Sequence, residues 1–181
     1  MQIAPERGRD AIPADQHKRV AAFAAGFPNG LPPDYAAFLT RYDGGFPYPN
    51  VLDDARPLEI RGFPDTQRFC DRLYGLAAVQ EFEAGHIYGE GKPADFLLIG
   101  EDPGGLVFLL STRAADLGAV YIWQGTTHRW GSDTNNETFI AQQGTSFSEF
   151  LNSLYDTPDK MGYDHWATPF HKENAKPLDL Q

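Results

Sequence analysis

Residues 96–110, FLLIGEDPGGLVFLL, contain two dense apolar runs separated by Glu101, Asp102, a proline and the pair Gly104 and Gly105. Each run has the length and composition of a β-strand. Asp, Pro and Gly are the residues with which a chain reverses direction, and both glycines are expected at positive φ. The stretch therefore predicts an antiparallel hairpin. Neither run alternates with polar residues, which indicates strands that are covered on both faces.

Helical periodicity flanks this hairpin on both sides. Apolar residues share one face after Pro13 and again in residues 31–45, LPPDYAAFLTRYDGG, where Gly44 is expected to be the left-handed residue that ends the helix. Residues 76–82 predict a short helix, and Ser146 with Glu149 predicts a capping box at the start of a last helix. Further strands are expected at residues 51–52, 58–60, 120–123 and 138–141.

The order of these elements predicts a single α+β domain, in which helices pack on one side of an antiparallel sheet. We expect a loose N-terminal arm over residues 1–12, the domain over residues 13–156, and a C-terminal extension over residues 157–181 that has no regular period. The arm and the extension are assigned by the lack of any periodic signal.

The composition is that of a folded domain with an acidic surface. Of 181 residues, 41% are hydrophobic, and 25 acidic against 15 basic residues give a net charge of −10. Such a surface repels nucleic acid and anionic lipid and favours a basic partner, although solubility alone also accounts for it. No stretch reaches the roughly 18 apolar residues of a membrane helix, and the N-terminus lacks a secretory signal, so we expect a cytoplasmic protein.

Motifs that carry chemistry are incomplete in this sequence. Cys70 is the only cysteine, which excludes a disulfide framework and a multi-cysteine zinc site. GEGKP at residues 89–93 lacks the upstream Gly and the Ser or Thr of a phosphate-binding loop. No serine has the context of a nucleophile elbow, and consecutive carboxylates on a strand point to opposite faces. We therefore assign no catalytic residue, no cofactor and no metal.

Three segments together resemble the SUKH superfamily, which is named partly for yeast cell-wall assembly regulators and contains many bacterial immunity proteins. LPPDYAAFLTRYDGG is similar to the family's helix that ends in Asn or Asp and two glycines. FLLIGEDPGGLVFLLS is similar to its central hairpin, and VYIWQG followed by SFSEFLNSLY is similar to its closing strand and final helix. The chain departs from the family pattern before the hairpin and after Tyr155.

The resemblance implies an α+β domain without catalytic activity, whose bacterial members bind and block a cognate toxin. The first hypothesis is therefore a cytoplasmic immunity protein that binds a toxin with a basic surface and contacts neither nucleic acid nor membrane. An intracellular adaptor of the same fold and a metal-dependent hydrolase using His165 and His171 remain alternatives. Acids and aromatics expected on turns are the candidate contact residues, although for each one taken singly a solvated loop residue is the favoured interpretation: Asp43, Tyr48, Asp53, Asp54, Glu101 and Asp102.

Overall fold

The computed structural model describes residues 1–6, 8, 11–53, 67–85, 93–124, 140–156 and 168–180. Five helices lie in this part of the chain: α1 (Gln16–Ala24), α2 (Pro33–Arg41), α3 (Leu76–Ala84), α4 (Phe147–Ser153) and α5 (Pro169–Asn174). The same part contains ten strands: β1 (Gln2–Ala4), β2 (Phe46–Tyr48), β3 (Val51–Asp53), β4 (Gln67–Phe69), β5 (Arg72–Leu73), β6 (Phe96–Glu101), β7 (Leu106–Ser111), β8 (Val120–Gln124), β9 (Ile140–Gly144) and β10 (Lys176–Pro177).

A five-stranded antiparallel sheet with the order β5-β6-β7-β8-β9 forms the centre of the fold. Its strands β6 and β7 are the predicted hairpin, with a bulge between Leu98 and Gly100. Every residue of β7 and all of β6 except Glu101 are buried, which confirms that these strands are covered on both faces. Together with the helices, this sheet confirms the predicted α+β fold.

Aromatic side chains connect the central sheet to α4 and α2. The ring of Phe108 in β7 lies 5.2 Å from that of Phe150 in α4. Phe147, also in α4, lies 5.0 Å from Tyr35 and 5.1 Å from Phe38 in α2, measured between ring centroids. All five side chains are fully buried, and each such burial contributes about 1.5–3 kcal/mol. The core therefore extends from the central sheet through α4 to α2.

Two smaller antiparallel sheets involve segments in which the sequence shows no periodicity. Strand β1 lies between β2 and β10, with Gln2 opposite both Tyr48 and Pro177, and β3 pairs with β4. The expectation of a loose arm at the N-terminus is therefore wrong for residues 2–4, and the extension contains both α5 and β10. Strands of two or three residues are too short to show a period, and their partners are distant in sequence. The domain limits themselves stay a prediction.

The predicted helix boundaries hold with small differences. Pro33 begins α2, Gly44 has a φ of 91°, and the Ser146 side chain accepts a hydrogen bond from the Glu149 backbone. Glu149, however, accepts from the backbone N–H of Thr145 at 2.6 Å, so that the reciprocal half of the predicted capping box is displaced by one residue. Helix α1 begins at Gln16 instead of near Pro13. The strand predicted at residues 58–60 lies outside the described residues.

Candidate functional site

Asp102 organises the turn between β6 and β7. Its Oδ1 accepts hydrogen bonds from the backbone N–H groups of Gly104 at 2.8 Å and Leu106 at 2.7 Å, which is the local bonding that makes Asp a turn residue. Burial raises the pKa of Asp102, and these two hydrogen bonds and the charge of Arg68 oppose that shift. Gly105 has the expected positive φ of 90°, whereas the same expectation for Gly104 is wrong. Asp102 is thus half-buried and stabilises the turn.

Glu101 lies among charges of both signs. It stands opposite Arg72 in the β5–β6 pair, and its carbonyl accepts a hydrogen bond from the N–H of Asp71 at 3.0 Å. Burial and then the charge of Glu101 raise the pKa of Asp71, while Arg72 and His171 lower it. Arg72 also forms an ion pair with Glu6. Arginine therefore compensates part of the negative charge around Glu101.

Asp43 connects α2 to α3. Its Oδ1 accepts a hydrogen bond from the backbone N–H of Leu76, the first residue of α3, at 2.7 Å. The first N–H groups of a helix have no partner within the helix, so this contact satisfies one of them. Asp43 adopts a φ of 52°, which Asp tolerates better than most residues. The side chain is half-buried and serves the fold.

Tyr48 and Asp53 each form a hydrogen bond with the segment that follows α4. The hydroxyl of Tyr48 donates to Asp156 Oδ2 at 3.0 Å, and the hydroxyl of Tyr155 donates to Asp53 Oδ1 at 2.8 Å. Two backbone hydrogen bonds between Val51 and Tyr155, of 3.1 and 2.9 Å, hold the segments together. We call these four side chains, Tyr48, Asp53, Tyr155 and Asp156, the tyrosine–carboxylate surface.

The tyrosine–carboxylate surface presents two carboxyl groups, each hydrogen-bonded to a tyrosine hydroxyl. Asp53 and Asp156 are exposed, whereas Tyr48 and Tyr155 are half-buried. Each carboxylate accepts one hydrogen bond from a tyrosine hydroxyl. A carboxylate has about four acceptor positions, so the others can accept from an Arg or Lys of a partner. Tyrosine is also enriched in protein interfaces because its ring is apolar and its hydroxyl is polar. This arrangement can bind a basic protein surface.

The sequence indicated only half of this surface. Tyr155 fitted the apolar period of the last helix, and the structure instead ends that helix at Ser153. Asp156 carried no signal beyond its place between a helix end and Pro158. The candidate residue Asp54 lies outside the described residues. Asp53 and Tyr48 both hydrogen-bond to the segment after α4, and Asp43 accepts a hydrogen bond from α3. Asp102 lies in the hairpin turn, whereas the expectation of a turn is wrong for Glu101, which ends β6 and pairs with Val107.

A separate carboxylate, Asp116 in the β7–β8 loop, is held by three side chains. Its oxygens accept hydrogen bonds from Ser111 Oγ at 2.6 Å and Tyr121 OH at 2.6 Å, and from the Arg113 guanidinium at 3.0 and 2.5 Å. Although burial opposes ionisation, hydrogen bonds from Arg113, Ser111 and Tyr121 lower the pKa of Asp116 to about 2. Arg113 also lies 4.5 Å from the ring centroid of Phe96. This network fixes the loop.

Other chemistry has little support in the described part of the chain. No three His, Cys, Asp or Glu side chains lie together there as metal ligands, and no helix there is long and apolar enough to cross a membrane. The ring of His171 stacks on Phe46 with centroids 4.6 Å apart, while His165 lies outside the described residues. Cys70 is fully buried, and burial raises the pKa of its thiol, which disfavours the nucleophilic thiolate.

Comparison with known proteins connects this fold to a family. Curated proteins gave no match to the chain. A sequence model of the SMI1 / KNR4 family (SUKH-1) matches residues 17–153, about three quarters of the chain. The matched range extends from the second residue of α1 to the last residue of α4 and contains the whole central sheet. The chain therefore belongs to the SMI1 / KNR4 family (SUKH-1), as the three sequence segments indicated.

Proposed function

We propose that this chain is a protein-binding domain that neutralises a cognate toxin by stoichiometric binding, with the tyrosine–carboxylate surface as part of the contact. The observation that carries the proposal is the pair of exposed carboxylates, Asp53 and Asp156, each bonded to a half-buried tyrosine. Family membership supports a binding role because the SUKH family is generally non-catalytic. The bacterial immunity proteins in the superfamily support the choice of a toxin as the partner.

Electrostatics favours these carboxylates over the other candidate acids. Asp43 and Asp102 are half-buried and accept backbone hydrogen bonds within the fold, and Glu101 lies opposite Arg72 on the neighbouring strand. Asp53 and Asp156 are exposed on a protein whose net charge is −10. A field of this sign steers a basic partner and raises association rates by roughly 10- to 1,000-fold at low salt. The proposal places both proteins in the cytoplasm and involves neither nucleic acid nor a membrane.

The test begins with a tagged full-length chain as bait in its native host and identification of the captured protein by mass spectrometry. The purified partner is then titrated with the chain while the partner's activity is followed. Inhibition that is complete at a 1:1 molar ratio and constant in time supports an immunity protein. Binding without inhibition supports the adaptor alternative, and inhibition that grows with time at substoichiometric amounts indicates turnover. Either result contradicts the proposal.

A further inference from the structure

Residues 176–180, KPLDL, cross the surface formed by β1 and the end of α2, and we call them the C-terminal segment. Lys176 and Pro177 pair antiparallel with β1, opposite Ile3 and Gln2. The backbone N–H of Leu178 donates to the carbonyl of Met1 at 3.2 Å. The segment therefore adds a strand to the edge of the β1–β2 pair, as extended peptides do when they bind a sheet edge.

Side chains at the end of α2 hold the backbone of the C-terminal segment. The hydroxyl of Tyr42 donates to the carbonyl of Pro177 at 2.9 Å and accepts from the N–H of Asp179 at 2.7 Å. Arg41 Nη1 donates to the carbonyl of Asp179 at 2.9 Å. All three hydrogen bonds are made to backbone atoms. Another extended segment could make the same backbone hydrogen bonds with Arg41 and Tyr42. Arg41 Nη1 also lies 3.9 Å from Asp179 Oδ2, an ion pair that favours an acidic residue at the middle position of the segment.

Two leucine side chains of the C-terminal segment make the contacts that depend on its sequence. Leu178 and Leu180 are partly buried against the core, and Asp179 between them is exposed, which is the alternation expected of an extended chain. A groove of about 250 Å³ lies between these leucines and residues of α4, including Leu151 and Asn152. The groove is lined by both apolar and polar side chains, so space remains beside the two leucines that a longer side chain of another segment could enter.

We propose that this surface is a docking site for an extended partner segment of the pattern apolar-acidic-apolar, and that the chain's own C-terminal segment occupies it until displaced. Strand β10 has two residues, both exposed, on the outer edge of its sheet, so its local opening requires much less free energy than global unfolding. A tethered segment acts at a millimolar effective concentration, so it excludes weak competitors. The inference concerns residues other than the tyrosine–carboxylate surface and does not rest on a toxin partner.

The test uses the full chain and a fluorescent peptide with the sequence of residues 175–180, AKPLDL. One variant carries Leu178→Ser and Leu180→Ser, which removes the apolar contacts of the resident segment. A second variant, Asp179→Pro, removes the N–H that Tyr42 accepts and leaves both leucines in place. Glu173→Ser, at an exposed position of α5, is the control. Fluorescence anisotropy gives the affinity of each protein for the peptide.

We expect both variants to bind the peptide at least about tenfold more tightly than the wild type, because the resident segment no longer competes. The Glu173→Ser control should bind like the wild type, and a peptide with both leucines changed to Ser should not bind. Equal affinity of all proteins for AKPLDL would overturn the proposal. The proposal would also be overturned if the wild type is a dimer and the double leucine variant is a monomer, because the occupant would then be a second copy of this chain. Neither outcome bears on toxin binding.

Discussion

Asp43 Oδ1 and the backbone N–H of Leu76 lie 2.7 Å apart in a hydrogen bond that joins the end of α2 to the start of α3. Asp43, Gly44 and Gly45 all have positive φ, and Gly45 exchanges two backbone hydrogen bonds of 2.8 Å with Leu73 of β5. Three consecutive residues thus connect α2 with β2, β5 and α3. Asp43, which the sequence suggests as a partner contact, therefore also supplies a hydrogen-bond acceptor within the fold.

Asp43→Ala is expected to lower the free energy of unfolding by about 1–2 kcal/mol, because alanine loses the bond to Leu76 and tolerates the positive φ poorly. Asp43→Asn keeps an acceptor oxygen and tolerates this backbone conformation, so its loss should stay within about 0.5 kcal/mol. Urea denaturation of both variants checks this. An Asp43→Ala protein as stable as the wild type that no longer binds the partner would make Asp43 a contact residue instead.

Gly44→Ala is expected to destabilise the fold by more than about 2 kcal/mol, because a Cβ there would lie 2.4 Å from the backbone N of Gly75. Gly105 is the matched control, since its φ is also positive, at 90°, but no atom lies within 4 Å of the added Cβ. Gly105→Ala should therefore cost only about 1–2 kcal/mol of conformational strain. If thermal denaturation shows the same decrease in stability for both variants, backbone strain alone accounts for the effect at both positions.

Asp102→Asn is expected to leave stability at pH 7 unchanged or higher, whereas Asp102→Ala should lower it by about 1–2 kcal/mol through loss of two hydrogen bonds. Burial raises the pKa of Asp102 in the folded state above its unfolded value. Protonation of Asp102 therefore stabilises the folded protein at a pH below the unfolded pKa, and this stabilisation is lost as the pH rises through the folded-state pKa. The free energy of unfolding of the wild type, relative to that of Asp102→Asn, should therefore increase as the pH falls from 7 to 4.

The check is urea denaturation of the wild type, Asp102→Asn and Asp102→Ala at both pH values. A wild type that is more stable than Asp102→Asn at pH 7 and loses that advantage in acid would show that the opposing hydrogen bonds outweigh burial.

Asp116→Asn is expected to lower stability at pH 7 by about 1–2 kcal/mol, because the ionised carboxylate is held by Arg113, Ser111 and Tyr121. The folded-state pKa of Asp116 is lowered to about 2, so its contribution is present above the unfolded pKa and is lost as the pH falls toward 2. The difference between the denaturation midpoints of the wild type and Asp116→Asn should therefore become smaller as the pH falls from 4 to 2. A difference independent of pH would indicate that packing causes the loss.

Local sequence signals predicted most of the central fold. The hairpin of β6 and β7 and the helices α2 and α4 follow from runs and periods that lie within one element, and Ser146 marks a helix start by its own chemistry. The sheet of β1, β2 and β10 was not predictable in this way. Its strands have two or three residues, and their pairing depends on partners from opposite ends of the chain.

The candidate surface was predictable only in part. An acidic side chain near a turn can accept hydrogen bonds from the backbone of its own fold, or it can be exposed to a partner. Asp43 and Asp102 are bonded to backbone N–H groups, whereas Asp53 is exposed, and sequence does not distinguish these cases. Asp156 could not be assigned, since its role depends on Tyr48, which is distant in sequence. Such pairs become visible only when tertiary structure brings the two segments together.

Charge reversal on the tyrosine–carboxylate surface tests the proposed partner contact most directly. The affinity and association rate of the captured partner are measured at low and high salt for the wild type, Asp53→Lys and Asp156→Lys. Glu81→Lys, at an exposed position of α3, makes the same change of charge outside this surface, and Asp53→Asn keeps the acceptor for Tyr155 while removing the charge.

Asp53→Lys and Asp156→Lys should each weaken binding by about tenfold or more at low salt, mainly through slower association, and high salt should reduce the difference. Asp53→Asn should have a smaller effect, and Glu81→Lys should change the affinity by less than about threefold. Unchanged affinity in both lysine variants, or an equal loss in Glu81→Lys, would show that the partner does not bind at this surface.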